Sequence, residues 1–125
     1  MSRDVLVVDD ATTVRMYHSG ILRDAGFGVA EAANGYEALE VLLERRFDLV
    51  LVDVNMPRMD GYAFVSALRR GGPNRTAPVV MISSEEADAA ADQAYAVGAN
   101  IYLNKPVTAD ELIGMVRALM GSSEP

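Results

Sequence analysis

The segment 48–53 reads DLVLVD, in which four consecutive aliphatic residues lie between two aspartates. A short apolar run without polar interruption is typical of a strand that is buried on both faces of a parallel sheet. We therefore predict a central strand over Asp48–Val52, with Asp53 at its carboxyl end. A carboxylate in that position lies against the packed core, which makes Asp53 the first candidate for chemistry.

Similar apolar runs and helical stripes alternate along the rest of the chain. The runs predict further strands at Val5–Val8, Gly28–Ala32, Val79–Ile82 and Ile101–Leu103. The helical stripes are Val14, Tyr17, Ile21 and Leu22; Ala38, Leu39, Leu42 and Leu43; and the segments Gly61–Arg70, Ala87–Val97 and Ala109–Met120. Strands that alternate with helices run parallel, so the fold class is α/β, a doubly wound five-stranded parallel sheet.

Length and residue usage exclude several classes of protein. The 125 residues suit one domain, which we place at 1–121, followed by a short tail at 122–125. The chain has no cysteine, which excludes disulfides, thiolate metal sites and cysteine nucleophiles. A single histidine argues against a histidine-rich metal site or a Ser–His–Asp triad. We expect this residue, His18, on the exposed face of a helix.

The charge balance limits the partners. Eleven basic and eighteen acidic residues give a net charge of −7, which repels phosphate backbones and argues against a nucleic-acid partner. No segment approaches the roughly 18 to 20 apolar residues of a membrane span, and the N-terminus does not resemble a signal peptide. We therefore expect a cytoplasmic protein without a membrane partner.

The sequence contains two arginine pairs, Arg45-Arg46 and Arg69-Arg70. We expect both pairs to be solvated helix ends, where positive charge is favourable.

Polar side chains follow the predicted strands at the same end of the sheet. In a parallel sheet the carboxyl ends of all strands meet at one edge, and open α/β sheets bind ligands there. The residues that converge on this edge are Asp9, Asp10, Asp53, Ser83, Ser84, Asn104 and Lys105. This convergence is stronger evidence for a site than any one of the residues.

These residue types favour phosphoryl chemistry on an aspartate. Clustered carboxylates repel one another, and Mg²⁺ relieves that repulsion with carboxylate, water and phosphate ligands. Lys105, the only lysine, is either an ion-pair partner or a phosphate ligand. Ser83 either donates to the same anion or satisfies a loop amide, and Asp9 and Asp10, with Thr12 and Thr13, are also plausible helix caps. A carboxylate nucleophile of this kind forms an aspartyl-phosphate.

The sequence resembles the receiver domain of bacterial response regulators, most closely the stand-alone chemotaxis-type (CheY-like) members. The resemblance spans essentially the whole chain, and four motifs agree in order and spacing. These motifs are VLVVDD at 5–10, LVLVDVNMPRMDGY at 49–62, VVMISS at 79–84 and YLNKP at 102–106. The resemblance implies the flavodoxin-like strand order 2-1-3-4-5.

By this resemblance, Asp53 is the phosphoacceptor and takes a phosphoryl group from the phosphohistidine of a sensor histidine kinase or a histidine phosphotransfer protein. The resemblance also assigns Mg²⁺, with Mn²⁺ as a substitute, to Asp9, Asp10, Asp53 and the backbone carbonyl of Asn55. Lys105 and Ser83 would contact the phosphoryl oxygens.

The resemblance implies a switch as well. Ser83 closes onto the phosphoryl group and Tyr102 swings inward, which remodels the surface of the fourth helix, fifth strand and fifth helix for a protein target. That target is a flagellar motor component, a phosphotransfer protein or a kinase in a phosphate-sink role. The Lys105–Pro106 peptide bond is expected to be cis. The chain would be a phosphorylated switch of a two-component phosphorelay, not an enzyme that turns over an external substrate.

Two other classes of protein share part of this pattern. Haloacid-dehalogenase-type phosphatases also use an aspartyl-phosphate and Mg²⁺, but they need a second aspartate two residues after the nucleophile, and Asn55 stands there. Flavodoxin-like cofactor proteins share the sheet order, but the first loop here, DDATT, carries two negative charges instead of a phosphate cradle.

The chain departs from the receiver pattern at Ser83, which stands where threonine is common in receiver domains. Serine keeps the hydroxyl group and lacks the methyl group.

Overall fold

A computed structural model describes residues 3–84 and 88–120 of the chain. Over these residues, five strands alternate with five helices. The strands are β1 (Asp4–Val8), β2 (Gly28–Ala32), β3 (Leu49–Asp53), β4 (Val79–Ser83) and β5 (Ile101–Asn104). The helices are α1 (Thr12–Asp24), α2 (Gly35–Glu44), α3 (Gly61–Leu68), α4 (Asp88–Val97) and α5 (Ala109–Met120). Ala87, the predicted first residue of the fourth helix, and the predicted tail 122–125 lie outside the described residues.

The strands form one parallel sheet in the order β2-β1-β3-β4-β5. The predicted fold class and strand order are therefore confirmed. The central strand begins and ends one residue later than predicted, at Leu49–Asp53, so Asp53 belongs to the strand itself. Every residue of β3 and of β4 is buried, as expected for strands covered by helices on both faces.

Alternate side chains of each central strand enter two separate cores. On one face, Val50 and Val52 of β3 lie in a core with residues of α2, α3 and α4. On the other face, Leu49 and Leu51 lie in a core with Leu22 of α1 and with residues of α5. Full burial of each such side chain contributes roughly 1.5–3 kcal/mol, so the strands form a rigid platform for whatever follows their carboxyl ends.

Two residues of the predicted apolar stripes are exposed. Tyr17 is 53% exposed and Leu43 is 71% exposed, so the prediction that both lie on inner faces is wrong. In α1 the inner face instead contains His18, which lies four residues after Val14 and four before Leu22. The 3.6-residue period places position 18 on this face regardless of its polarity.

Arg69 is not a solvated helix end, contrary to the prediction. Its guanidinium donates to the carbonyl oxygens of Gly98 at 2.7 Å, Ala77 at 2.6 Å and Arg75 at 2.9 Å, and to Asn100 Oδ1 at 3.2 Å. It thereby ties the end of α3 to the loops that enter β4 and β5. Burial lowers the pKa of this guanidinium, which nevertheless keeps its charge.

No helix within residues 3–84 and 88–120 combines the length and the apolar character needed to cross a membrane.

We predict that Arg69→Met lowers the free energy of unfolding by about 3 kcal/mol, because it leaves several carbonyls without their charged donor. Arg70→Met is the matched control: Arg70 is the exposed neighbour, and its loss should change stability by at most about 0.5 kcal/mol. Urea unfolding of both variants measures the difference. Equal midpoints for the two variants would contradict the assignment of Arg69 as a structural tie.

Candidate functional site

The candidate site lies at the carboxyl edge of the sheet. Asp53 is the last residue of β3 and is aligned with Ile82 of β4. Asp9 directly follows β1, whose last residue, Val8, is aligned with Val52 of β3. This register places Asp9 and Asp53 side by side at the ends of adjacent strands.

Three carboxylates meet at this edge. One carboxylate oxygen from each of Asp9, Asp10 and Asp53 lies within 4.8 Å of the other two. Asp9 and Asp53 are buried, whereas Asp10 is exposed. Two unit charges about 4 Å apart repel by about 4 kcal/mol at an effective dielectric constant of 20. A hard divalent cation with oxygen ligands relieves this repulsion, so the donor set fits an ion such as Mg²⁺.

Lys105 provides the positive charge that faces the carboxylates. Its Nζ lies 2.7 Å from Asp53 Oδ1 and 3.5 Å from Asp9 Oδ2. Burial lowers the pKa of the Lys105 ammonium, but its contacts with the two aspartates outweigh burial, and the pKa lies above its ordinary value. Lys105 follows β5 directly and is joined to Pro106 by a cis peptide bond.

The environment of Asp53 disfavours its charged form. Burial raises the pKa of the Asp53 carboxyl, and the nearby negative charges of Asp9 and Asp10 raise it further. The hydrogen bond and the charge of Lys105 act in the opposite direction, and the net pKa is above the ordinary value. The balance between the charged and neutral forms of such a carboxyl group, poorly solvated and close to like charges, changes strongly when a cation binds or a nearby charge is altered.

Ser83 and Asn55 lie beside the carboxylates. Ser83 is the last residue of β4 and is buried, and the side-chain amide of Asn55 donates to its hydroxyl at 3.4 Å. Tyr102 lies in β5 and is half-buried; its backbone N–H donates to the Tyr95 hydroxyl of α4 at 3.3 Å. Ser83 and Asn55 therefore lie at the same edge as the carboxylates, whereas Tyr102 lies within β5, two residues before its carboxyl end at Asn104.

Asp9 and Asp10 do not cap α1, although the sequence was compatible with that role. The N-cap residue of α1 is Ala11, and no side chain makes a capping hydrogen bond there. Asp9 Oδ1 instead accepts from the backbone N–H of Ala11 at 2.9 Å, before the helix begins. A side-chain cap is present at α3, where the Asp60 side chain accepts from the N–H of Ala63 at 2.8 Å.

Comparison with protein families supplies the deciding observation. The model of the response regulator receiver domain matches residues 5–117, which include the three carboxylates and Lys105. The chain belongs to the receiver domain family. Receiver domains are switch proteins of two-component signalling, and they interact with histidine kinases and downstream targets.

Individual relatives and solved structures match nearly the whole chain. The protein PilG of Pseudomonas aeruginosa is 31% identical over 121 residues, which cover 97% of this chain and 90% of PilG. The chemotaxis protein CheY4 of Vibrio cholerae has a TM-score of 0.90 and 36% identity, over 95% of this chain and 99% of that one. The receiver domain of the sensor histidine kinase PA1611 of Pseudomonas aeruginosa, described with a magnesium ion coordinated in its active-site cleft, has a TM-score of 0.89 and 25% identity, over 97% of this chain and 99% of that one.

These matches confirm the resemblance and the CheY-like fold that the sequence implied. They also exclude the two alternatives, since neither a haloacid-dehalogenase-type phosphatase nor a flavodoxin-like cofactor protein accounts for a family match over residues 5–117.

His18 is buried in the receiver, contrary to the prediction that it is exposed. Its side chain lies in α1 at 2% exposure, and its Nδ1 has no hydrogen-bond partner among the described residues. It lines a groove of about 340 Å³ together with Val14, Tyr17, Lys105, Pro106 and Val107. Burial lowers the pKa of His18; the charge of Asp9 opposes this effect and that of Lys105 adds to it.

Two further residues shape the site, and the sequence analysis did not assign them that role. Arg15 donates to the carbonyl oxygen of Asp9 at 2.8 Å. Gly61, the first residue of α3, lies so close to β3 that an added Cβ would be 2.6 Å from the carbonyl oxygen of Asp53. The glycine after Asp60 was a visible signal for a close approach, whereas nothing local distinguished Arg15 from the other arginines.

We predict that Gly61→Ala lowers the free energy of unfolding by about 1–3 kcal/mol, because the new methyl group meets backbone atoms of β3 that cannot move aside. Gly114→Ala is the control, since Gly114 lies in α5 with no heavy atom within 4 Å of the added Cβ. That change should stabilise the protein by about 0.5–1 kcal/mol. Thermal unfolding that shows equal effects would contradict the close approach at Gly61.

We also predict that stability falls as the pH drops below about 6.5 and that His18→Phe reduces this fall. The unfolded chain takes up a proton near the ordinary histidine pKa of 6.5, whereas native His18 has a lowered pKa and resists protonation. The burial of neutral His18 therefore contributes to the free energy of unfolding above about pH 6.5. This contribution is lost as the pH falls toward the pKa of His18 in the folded protein. Asp53 acts with the opposite sign, but both proteins contain it. Urea unfolding from about pH 7.5 to pH 5 measures the slope for each protein.

Because His18 is the only histidine, the difference between the two curves isolates this one group. Parallel curves over that range would show that its burial has no effect on protonation.

Proposed function

We propose that this receiver is a phosphorylated switch in which Asp53 accepts a phosphoryl group from the phosphohistidine of a sensor histidine kinase or a histidine phosphotransfer protein. The observation that carries the proposal is the contact of Lys105 with Asp53, 2.7 Å across the sheet edge, inside a cluster of three carboxylates. Membership of the receiver domain family supports it.

In the proposed step, a carboxylate oxygen of Asp53 attacks phosphorus and forms a P–O bond while the P–N bond to the donor histidine breaks. The bonding electrons leave with the imidazole. Lys105, which contacts Asp53 and Asp9, would contact the incoming phosphoryl oxygens. Such transfers depend on alignment and on neutralisation of charge, and this chain contributes to both with residues on rigid strands.

Asp9, Asp10, Asp53 and the backbone carbonyl of Asn55 would hold Mg²⁺, with Mn²⁺ as a substitute. The three carboxylates supply the oxygen donors that such ions prefer. When bound, the ion neutralises negative charge on the carboxylates and on the phosphoryl oxygens. The magnesium ion described for the receiver domain of PA1611 supports this assignment.

The output would pass through the surface formed by α4, β5 and α5. Ser83 would close onto the phosphoryl group, and Tyr102 would move inward with it. The contacts of α4 suit such a rearrangement: its buried residues include Ala90 and Ala94, which bury little area. The hydroxyl of Tyr62 donates to the Ala90 carbonyl at 3.2 Å, so part of the attachment of α4 is polar.

In this proposal the receiver occupies 1–121 and acts in the cytoplasm on a protein target. It is a switch and does not turn over an external substrate, and neither nucleic acid nor a membrane is a direct partner.

The test is intact-mass measurement after incubation with Mg²⁺ and acetyl phosphate. We expect the wild type to gain the mass of one phosphoryl group and to lose this gain when a chelator is present. Asp53→Asn should gain nothing, because the amide is not a nucleophile for this transfer. Asp110→Asn, an exposed aspartate in the first turn of α5, is the matched control and should be modified like the wild type.

Modification of Asp53→Asn to the same extent would show that the acceptor is another residue. Absence of modification in every protein would overturn the proposed transfer and leave a receiver that acts by binding alone.

A further inference from the structure

Arg15 connects the cation-binding loop to the sheet. Its Nη1 donates to the carbonyl oxygen of Asp9 at 2.8 Å, and its Nε donates to Glu31 Oε1 at 2.9 Å. The two side chains are largely covered, at 15% exposure for Arg15 and 25% for Glu31. Glu31 lies in β2, where it is aligned with Val7 of β1, so the guanidinium is itself anchored to the sheet.

This contact fixes the orientation of the peptide that joins the two aspartates. The Asp9 carbonyl and the Asp10 N–H belong to one planar unit, so the hydrogen bond that holds the carbonyl also sets the start of Asp10. The Asp9 N–H donates to the Ala32 carbonyl at 3.1 Å, which fixes the other side of Asp9. Among the described residues, no side chain caps the N-terminus of α1, and Arg15 of this helix bonds back to the preceding loop.

We propose that Arg15 is a positioning residue for the divalent cation: its hydrogen bond to the Asp9 carbonyl holds the carboxylates of Asp9 and Asp10 in the arrangement that receives the ion. The inference rests on the proposed function, since it concerns the same cation site. Residues that orient metal ligands without touching the metal typically change metal affinity by about 10–100-fold when replaced.

Charge and positioning make opposite predictions for Arg15. A guanidinium near the site repels a cation, so its removal by charge alone would tighten Mg²⁺ binding. If Arg15 positions the aspartates, its removal weakens Mg²⁺ binding despite the loss of that repulsion. The sign of the change therefore separates the two roles.

Arg23 provides the matched control. It also pairs with Glu31, at 3.2 Å, and donates to the Val29 carbonyl at 3.3 Å, but neither contact involves Asp9. Arg23→Met removes the same charge and one partner of the same glutamate. It reports the effect of a weakened Glu31 network without the bond to the cation-binding loop.

The experiment is calorimetric titration of Mg²⁺ into wild type, Arg15→Met and Arg23→Met, with urea unfolding without metal to establish that each is folded. We expect about a 10-fold higher dissociation constant for Arg15→Met and less than about a 2-fold change for Arg23→Met. Unchanged or tighter binding by Arg15→Met would overturn the inference, as would an equal loss in Arg23→Met. Wild-type protein that binds no Mg²⁺ would overturn the cation site itself, which is a distinguishable failure of the proposed function.

Discussion

The site depends on one electrostatic constraint: three carboxylates meet at a sheet edge, and two of them are buried. The positively charged ammonium of Lys105 contacts this cluster at Asp53. Lys105 follows the last strand, Asp9 follows the first and Asp53 ends the third, so the arrangement exists only when β1, β3, β4 and β5 have assembled. The strand order places β4 between Asp53 and Lys105, and its last residue there is Ser83. Lys105 therefore spans the end of β4 to reach Asp53, which brings a hydroxyl, an ammonium and the carboxylates together.

The rest of the fold keeps these charges in place. β3 and β4 are buried along their whole length, so Asp53 cannot move away from its neighbours without disturbing two cores. Gly61 lets α3 start directly against the backbone of Asp53, and Arg15 holds the loop of Asp9 from the opposite side. The carboxylates repel one another and are held in fixed positions by the packed strands. Binding of a divalent cation or a phosphoryl group therefore changes the electrostatic energy of the site strongly.

Patterns that are local in the sequence predicted most of the architecture. The runs DLVLV and VVMI are apolar at every position, which identifies strands covered on both faces, and each predicted strand lies within one residue of its observed bounds. The errors concern positions where the identity of a side chain and its place on a helix disagree. His18 was expected on the exposed face of a helix and Tyr17 in the apolar stripe, but the helical period puts position 18 inward and Tyr17 is exposed. Arg69 was expected in solvent, but its guanidinium binds carbonyl oxygens of the segment that follows α3 and of the loop before β5, which is distant in the sequence.

The sequence by itself determined the parallel sheet and the convergence of Asp9, Asp10, Asp53 and Lys105 on one edge, because strand direction follows from the alternation of strands and helices. Only the tertiary structure decided which groups touch. The pairing of Lys105 with Asp53 and the bond from Arg15 to the Asp9 carbonyl join residues that lie in different parts of the fold. Such contacts depend on distances of a few ångströms after packing, and hydrophobic periodicity contains no information at that scale.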